Sequence, residues 1–364
     1  MRIIQLLPNL NEGGVERGAV DSNREYAKRG HESIVISNGG RLCEQIVKDG
    51  GEHIAFDVAS KNILTAPWRV YRLKQLLKEL NSDVIHARSR VPAWLVYLAN
   101  KKLNIPFVTT VHGFNSVNAY SKVMTYGDRV ICSSRFLIEH IKEHYGVADD
   151  IIRLIPRGID LEYFDPNGLD IPWRDSFVER YNLSGKKIIV QVARITGWKD
   201  QLTTIKAFFA AKEKHPSLVL LLVGSVDKSR ESYYGELASV IEGSKWRDDV
   251  IFTGNQSSIK EIFSLATLNI SSSTKPETFG RANVEGMVMG VPLLASSIGA
   301  AFDYVQEGKT GFFFNPGDYK ELSKLIEKSI EYRFDHAYIR NFAQTNFSLK
   351  QMVDKTIEVY KEVV

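Results

Sequence analysis

Short apolar runs alternate with longer helical periods twice along this chain, which predicts two doubly wound α/β domains, each built on a parallel sheet. Three observations carry that prediction. Strand-length runs recur between helix-length segments from one end to the other, the pattern of parallel strands buried beneath helices on both faces. The pattern breaks once, across 161–175, where Pro166, Asn167-Gly168 and Pro172-Trp173 mark the approach to a linker. The chain has 364 residues, room for two domains of roughly 100–200 residues each. The expected domains are therefore 1–170 and 171–345.

In the first half the expected strands are 2–7, 32–37, 53–56, 84–86, 107–111, 129–132 and 152–155. Helical periods fall between them at 15–29, 67–80, 92–101 and 134–145. In the second half the strands are 187–192, 217–223, 250–253, 268–271 and 292–295, and the helices 199–214, 233–243, 256–264, 281–289 and 319–332. In open sheets of this kind the ligand lies at the carboxyl ends of the strands, so the expected site is a cleft between the two domains.

Composition narrows the function classes. With 44% hydrophobic and 25% charged residues the chain reads as an ordinary globular protein. A net charge of +4 leaves no nucleic-acid footprint. Two cysteines, Cys43 and Cys132, exclude a disulfide framework and a cysteine-based zinc site. The apolar run at 1–7 is too short for a signal peptide, and no run reaches the ~18 apolar residues of a membrane span. The expectation is a reducing, cytoplasmic setting.

The most informative stretch is 275–287, Lys-Pro-Glu-Thr-Phe-Gly-Arg-Ala-Asn-Val-Glu-Gly-Met. A strand ends before it and a helix opens near Gly280, so unpaired N–H groups gather at one point, a setting that favours a phosphate. Glu277 precedes that helix start and Glu285 lies inside the helix. Acids on both sides suit a ligand that carries hydroxyls at each end of its phosphates, the form of a nucleotide-sugar. A solvated acid with a surface helix residue is the plainer alternative, but Glu285 stands among Ala282, Val284 and Met287, and a carboxylate in an apolar helix needs partners. A retaining hydrolase could use the same acid pair, yet it would not need the cations that follow.

Those cations are Arg194 and Lys199, flanking a short loop with Gly197 after the strand 187–192. A guanidinium fork and an ammonium converging there suit a diphosphate; two solvated charges are the alternative, weakened because cations at a helix start are unfavourable without an anion. In the first half, Gly13 and Gly14 sit between a strand and a helix, where the backbone can approach a phosphate or simply turn. No Gly-x-Gly-x-x-Gly follows either first strand, which disfavours a dehydrogenase. His112, at the end of strand 107–111 and beside Gly113, is placed to face developing positive charge at a sugar carbon, or to brace the next loop.

Taken in order, these motifs resemble the retaining GT-B glycosyltransferases of family four, the group that includes bacterial lipopolysaccharide, capsule and mannosyl transferases. The resemblance covers nearly the whole chain: Gly13-Gly14, Val111-His112-Gly113, Ile155-Pro156-Arg157-Gly158-Ile159-Asp160, Arg194 with Lys199, Leu222-Val223-Gly224, Val250-Ile251-Phe252-Thr253-Gly254, and Glu277 and Glu285 with seven residues between them. It implies two Rossmann-like domains, with 346–364 forming a closing helix that returns to the first. It further implies a nucleotide-diphosphate-sugar donor, a glycan or lipid-linked acceptor, and retention of configuration. Glu277 would hold sugar hydroxyls and Glu285 the ribose; Arg194 and Lys199 would neutralise the leaving diphosphate. Gly13, Gly14, Gly254, Phe279, Gly280, Arg281 and Ala282 would complete the donor site, and His112 would support an oxocarbenium-like transition state. There is no Asp-x-Asp, so neither a metal nor another cofactor is expected. An inverting transferase, an epimerase or a non-catalytic sugar-nucleotide-binding subunit are the alternatives. Two departures stand out: Arg157 where the family often has Asn, and Ala193 where a glycine is frequent.

Residues 61–102 carry nine cations against Glu79 and Asp83, a local +7 in a chain of +4 overall, with Trp68, Tyr71, Trp94 and Tyr97 interleaved. Such a surface suits an anionic membrane leaflet, or is a solvated helix face over core aromatics. His86, Arg88, Arg90 and Arg157 are the expected contacts to an anionic acceptor.

Overall fold

The computed structural model describes residues 1–364 apart from Glu12 and 227–230. In chain order the first half comprises β1 (Arg2–Leu6), α1 (Gly14–Lys28), β2 (Glu32–Ser37), α2 (Cys43–Lys48), β3 (Glu52–Ala55), α3 (Ala66–Leu80) and β4 (Val84–Ala87). It continues with α4 (Arg90–Asn100), β5 (Phe107–Val111), β6 (Arg129–Cys132), α5 (Arg135–Tyr145) and β7 (Ile152–Leu154). The second half comprises α6 (Ile171–Arg180), β8 (Lys187–Val192), α7 (Gln201–Lys212), β9 (Leu218–Val223), α8 (Glu231–Glu242), β10 (Val250–Gly254), α9 (Ile259–Leu265) and β11 (Ala266–Ser271). It closes with α10 (Arg281–Val288), β12 (Leu293–Ser296), α11 (Ala301–Tyr304), β13 (Gly311–Phe314), α12 (Tyr319–Glu331), α13 (His336–Phe347) and α14 (Leu349–Lys361).

The chain divides into two compact units, Met1–Gly158 with Leu349–Val364, and Ile159–Ser348. The segment 159–170 packs with the second unit. The first unit holds a seven-stranded sheet in the order β3-β2-β1-β4-β5-β6-β7, and the second a six-stranded sheet in the order β10-β9-β8-β11-β12-β13. The pairings are parallel throughout. This is the expected doubly wound class. Parallel strands covered on both faces need no hydrophobic alternation, and β9 is buried along its whole length.

The tail belongs to the first unit. Leu349, Val353, Ile357 and Tyr360 of α14 pack with Ile3, Val84, Val108 and Ile131 of the sheet. Polar ties fix the helix there: Arg29 Nε donates to Asp354 at 2.8 Å, the hydroxyls of Tyr26 and Tyr360 meet at 3.0 Å, and Glu362 takes Arg129 and Arg153.

Several elements differ from the sequence reading. The stretch taken as a linker approach contains α6, started by Asp170, whose side chain accepts from the Trp173 N–H, with a proline in the first turn. Helices α2, α11 and α13 and strand β13 were not anticipated. Strand β4 runs one residue past His86.

In each sheet the order reverses beside the first strand, between β1 and β4 and between β8 and β11. Loops leave the carboxyl ends of those neighbours in opposite directions, opening a crevice at that edge. Gly13, Arg88, Arg194, Lys199 and Glu277 stand on those loops, while His112 and Arg157 follow β5 and β7 of the first sheet.

Candidate active site

In the second unit, β8 delivers the loop 193–200 and β11 delivers the loop 272–280, and the two are knitted together. The Thr274 N–H donates to the Trp198 carbonyl at 2.8 Å. Ser272 Oγ reaches the carbonyls of Lys199 and Asp200 at 2.9 and 2.8 Å, and Gln191 Nε2 donates to the Lys199 carbonyl at 2.9 Å.

Across this seam Lys199 Nζ lies 2.7 Å from Glu277 Oε1, with side chains only 16% and 15% exposed. The ammonium also rests 4.4 Å from the centre of the Trp198 ring. The same Glu277 oxygen accepts from Ser273 Oγ at 2.7 Å. Its backbone is clamped too: the Glu277 carbonyl accepts from the Ala300 N–H at 3.0 Å, and a Cβ on Gly299 would lie 2.7 Å from the Glu277 nitrogen. The sequence reading had assigned Lys199 to phosphate and Glu277 to hydroxyls; the structure brings them into direct contact. Arg194 stands exposed on the same loop.

Gly280 caps α10 with φ 76°, and no side chain caps the helix there. A Cβ at Gly280 would come within 2.5 Å of the Tyr304 hydroxyl and 2.7 Å of Asn283 Nδ2, so only glycine fits this turn. Asn283 Nδ2 in turn donates to the Tyr304 hydroxyl at 2.9 Å and to Ser271 Oγ at 3.1 Å. Burial, reinforced by the Glu277 charge, raises the Tyr304 phenol far above its usual range. The helix therefore opens with Arg281 and Ala282 a few residues after Glu277, its first turn without a side-chain cap. Glu285 has the partner an enclosed carboxylate needs: Arg281 Nε donates to it at 2.7 Å, one turn away. Gly254 ends β10 with φ 69°, and its carbonyl accepts from the Gly224 N–H at 2.9 Å on the same sheet edge.

In the first unit three motif residues converge. Arg157 Nη2 lies 3.2 Å from His112 Nδ1, and the same guanidinium presses against the space a Cβ on Gly14 would take. A guanidinium can only donate, so Nδ1 accepts and the imidazole is neutral, with its proton on Nε2. Burial, then the charges of Arg157 and Arg88, hold the His112 pKa well below the ordinary value of 6.5. Gly13 precedes α1 and provides no side-chain cap.

Comparison with known proteins places this geometry. Residues 12–163 match Glycosyltransferase Family 4 and residues 174–345 match Glycosyl transferases group 1. A solved glycosyltransferase from Rickettsia africae ESF-5 is 32% identical, with a TM-score of 0.91, over 100% of this chain and 98% of its own. The chain belongs to the GT-B glycosyltransferases. Spore coat protein SA of Bacillus subtilis is 24% identical over 79% of this glycosyltransferase and 80% of its own length. Anabaena HepE, solved with UDP and glucose, shares the fold at 21% identity and a TM-score of 0.83, over 99% of each chain.

Three expectations for this glycosyltransferase need correction. The Phe279 side chain is a core residue, packed 6.0 Å from Phe347 and 6.5 Å from Tyr304 between ring centres, so it anchors the loop and offers a ligand no ring face. His86 lies inside β4, with Nδ1 2.6 Å from the Tyr360 hydroxyl and Nε2 2.6 Å from Thr110 Oγ1; both nitrogens are engaged and the residue is buried. Arg88 is buried and donates to Gln5 Oε1 at 2.8 Å and Ser22 Oγ at 3.3 Å. Arg90, half-exposed, donates to Ser121 Oγ at 3.1 Å and lies 5.5 Å over the Tyr120 ring. His86, Arg88 and Arg157 all lie close enough to His112 to lower its pKa, whereas Arg90 pairs with Ser121. Ser273, Asn283, Gly299 and Tyr304 support the loop 272–280 and were not anticipated; a Ser-rich strand end and a Gly before a short helix are the signals they leave. Among the described residues no group of three or more His, Cys, Asp or Glu is placed to hold a metal ion.

Proposed function

We propose that this enzyme transfers a sugar from a nucleotide-diphosphate-sugar to a glycan or lipid-linked acceptor of the surface-polysaccharide kind, with retention of configuration. The observation that carries the reading is the Lys199–Glu277 pair at the switch point of the second sheet, one short loop before the uncapped start of α10. A donor diphosphate would draw the Lys199 ammonium from Glu277, and Arg194 would add a second cation. Glu277, so released, would accept from sugar hydroxyls, while Glu285, held by Arg281, would accept from the ribose. Breaking the sugar–phosphate bond mainly requires stabilising charge on the departing phosphate, which these cations and the Arg281–Ala282 amides supply without a metal or further cofactor. Neutral His112 would offer its carbonyl or ring to the electron-poor anomeric carbon, and Gly14 would allow close approach of phosphate. The HepE complex with UDP and glucose supports a nucleotide-sugar donor, and the name of a Bacillus anthracis relative, N-acetyl-alpha-D-glucosaminyl L-malate synthase, 22% identical over 99% of this chain, supports transfer of a sugar. Peripheral attachment to a membrane carrying the acceptor, on the cytoplasmic side, completes the proposal. Among the described residues no helix is long and apolar enough to cross a membrane.

The test is a panel of UDP-, GDP- and ADP-sugars assayed for transfer, with the product anomer read by NMR. Transfer with the donor's anomeric configuration supports the reading. An inverted product, or donor binding without transfer to any acceptor, overturns it.

A further inference from the structure

The first unit holds a cavity of about 420 Å³ between the loop preceding α3 and one face of α4, within the ~300–1,000 Å³ range of pockets that enclose small ligands. Its walls are apolar, formed by Ile63, Ala66, Val91, Trp94, Leu95 and Leu98, with Tyr120 at one end and no carboxylate in the lining. Arg69 lies at the base, and its charge is already used: Nη1 donates to the Ser60 carbonyl at 3.0 Å and Nη2 to the Asn62 carbonyl at 2.9 Å. Those bonds hold the rim in place. On that rim Ile63 and Leu64 are 81% and 87% exposed, and Trp68 and Tyr71 are exposed one turn on. Cations accompany the cavity: Lys61 in the lining, Arg90 over the lining residue Tyr120 at 5.5 Å, and, on α3 and at the end of α4, Arg72 over Trp68 at 5.0 Å and Lys101 over Tyr97 at 5.3 Å.

We infer that this cavity receives the hydrocarbon chain of an anionic membrane lipid, whose phosphate lies against Lys61, Arg72 and Arg90. The proposal deepens the membrane attachment suggested above and rests on it. The chemistry selects this occupant over others. A peptide would bring amide groups that need partners, and the rim carbonyls are engaged by Arg69. A second copy of this chain would set the same basic surface against itself. A chain with no hydrogen-bonding groups and an anionic head needs neither concession, and exposed aromatic and aliphatic side chains beside cations are suited to the interface of an anionic leaflet.

The full chain is mixed with phosphatidylcholine vesicles, with and without phosphatidylglycerol, and binding is read by flotation. In parallel, dodecyl phosphate and inorganic phosphate are titrated by calorimetry without membranes. The expected result is binding to phosphatidylglycerol vesicles and to dodecyl phosphate but not to inorganic phosphate. Ala66→Trp, which fills the cavity, and Leu98→Gln, at a half-exposed wall position, should each weaken dodecyl phosphate binding at least about tenfold, the effect of losing roughly two buried methylenes. Lys61→Gln should weaken the vesicle interaction in a salt-dependent manner. Vesicle binding unchanged by both cavity variants, with no affinity for dodecyl phosphate, would overturn the chain site and leave a merely basic surface. Concentration-dependent dimerisation abolished by Leu98→Gln would overturn it in favour of a second copy. Nucleoside diphosphate binding and the thermal midpoint, measured on the same samples, show that the variants are folded and keep this test separate from that of the transferase reading.

Discussion

Glu277→Gln should tighten the binding of a bare nucleoside diphosphate while Lys199→Ala weakens it, although both substitutions break the same ion pair. The geometry sets the opposite signs. Lys199 Nζ lies 2.7 Å from Glu277 Oε1 with both side chains largely enclosed, so an incoming diphosphate competes with the carboxylate for the ammonium. A pair with some solvent access is worth up to about 1 kcal/mol; neutralising Glu277 removes that competition, and affinity for UDP or GDP should rise about fivefold. Removing Lys199 deletes a charge-assisted contact worth roughly 1.5–3 kcal/mol, a loss of about 10–150-fold, and leaves Glu277 with its bond from Ser273 at 2.7 Å. Isothermal titration with the nucleoside diphosphate measures both. Transfer from the nucleotide-sugar should fall in each variant, because Glu277 is also needed at the sugar. Equal weakening of the bare nucleotide by both substitutions would refute the competition and with it the division of roles.

Three further outcomes are expected. Gly280→Ala should destabilise the second unit by about 1–3 kcal/mol, since φ is 76° and the new methyl would meet the Tyr304 hydroxyl; calorimetry should show its transition lowered by roughly 2–4 °C per kcal/mol. Tyr360→Phe removes the hydroxyl between His86 Nδ1 at 2.6 Å and Tyr26 at 3.0 Å, leaving buried polar groups unpaired at a cost of about 1–3 kcal/mol, and limited proteolysis should release α14 sooner. Glu362 is held at a pKa of about 2, chiefly by its bond from Arg153 and then by that from Arg129. A depressed carboxylate stabilises the fold above its unfolded value near 4.5, and the gain disappears as pH falls toward 2. Discounted for solvent screening this is about 1 kcal/mol, so thermal midpoints of wild type and Glu362→Gln should differ at pH 7 and converge between pH 4.5 and 2.

The doubly wound class was legible because buried parallel strands leave contiguous apolar runs such as 218–223, and the runs alternate with helix-length segments. What was missed follows from weak local signals. Helix α6 buries only Phe177, so its period is faint, and its Asp-x-Pro start resembles a turn; the N-cap and proline were read as a linker where they begin a helix. Strand β13 is a four-residue Gly-Phe-Phe-Phe edge run with no alternation to read. Ending the strand at His86 suits it to an acceptor contact; one further residue of β4 keeps it in the core, between Tyr360 and Thr110. The donor-side residues were legible individually, because each follows a strand. That Lys199 and Glu277 touch depends on β8 lying beside β11, a neighbour relation no local pattern encodes. In the same way, Arg157 reaches Gly14 and His112 only because three separate loops leave one sheet.

The account rests on the second unit gripping a diphosphate at the carboxyl edge between β8 and β11. A crystal soaked with UDP or GDP, whichever binds, tests this most directly. The diphosphate should lie within hydrogen-bonding reach of Lys199 Nζ and the first amides of α10, with Glu285 at the ribose. A diphosphate bound elsewhere on the second unit, with the Lys199–Glu277 pair intact beneath it, would contradict the account.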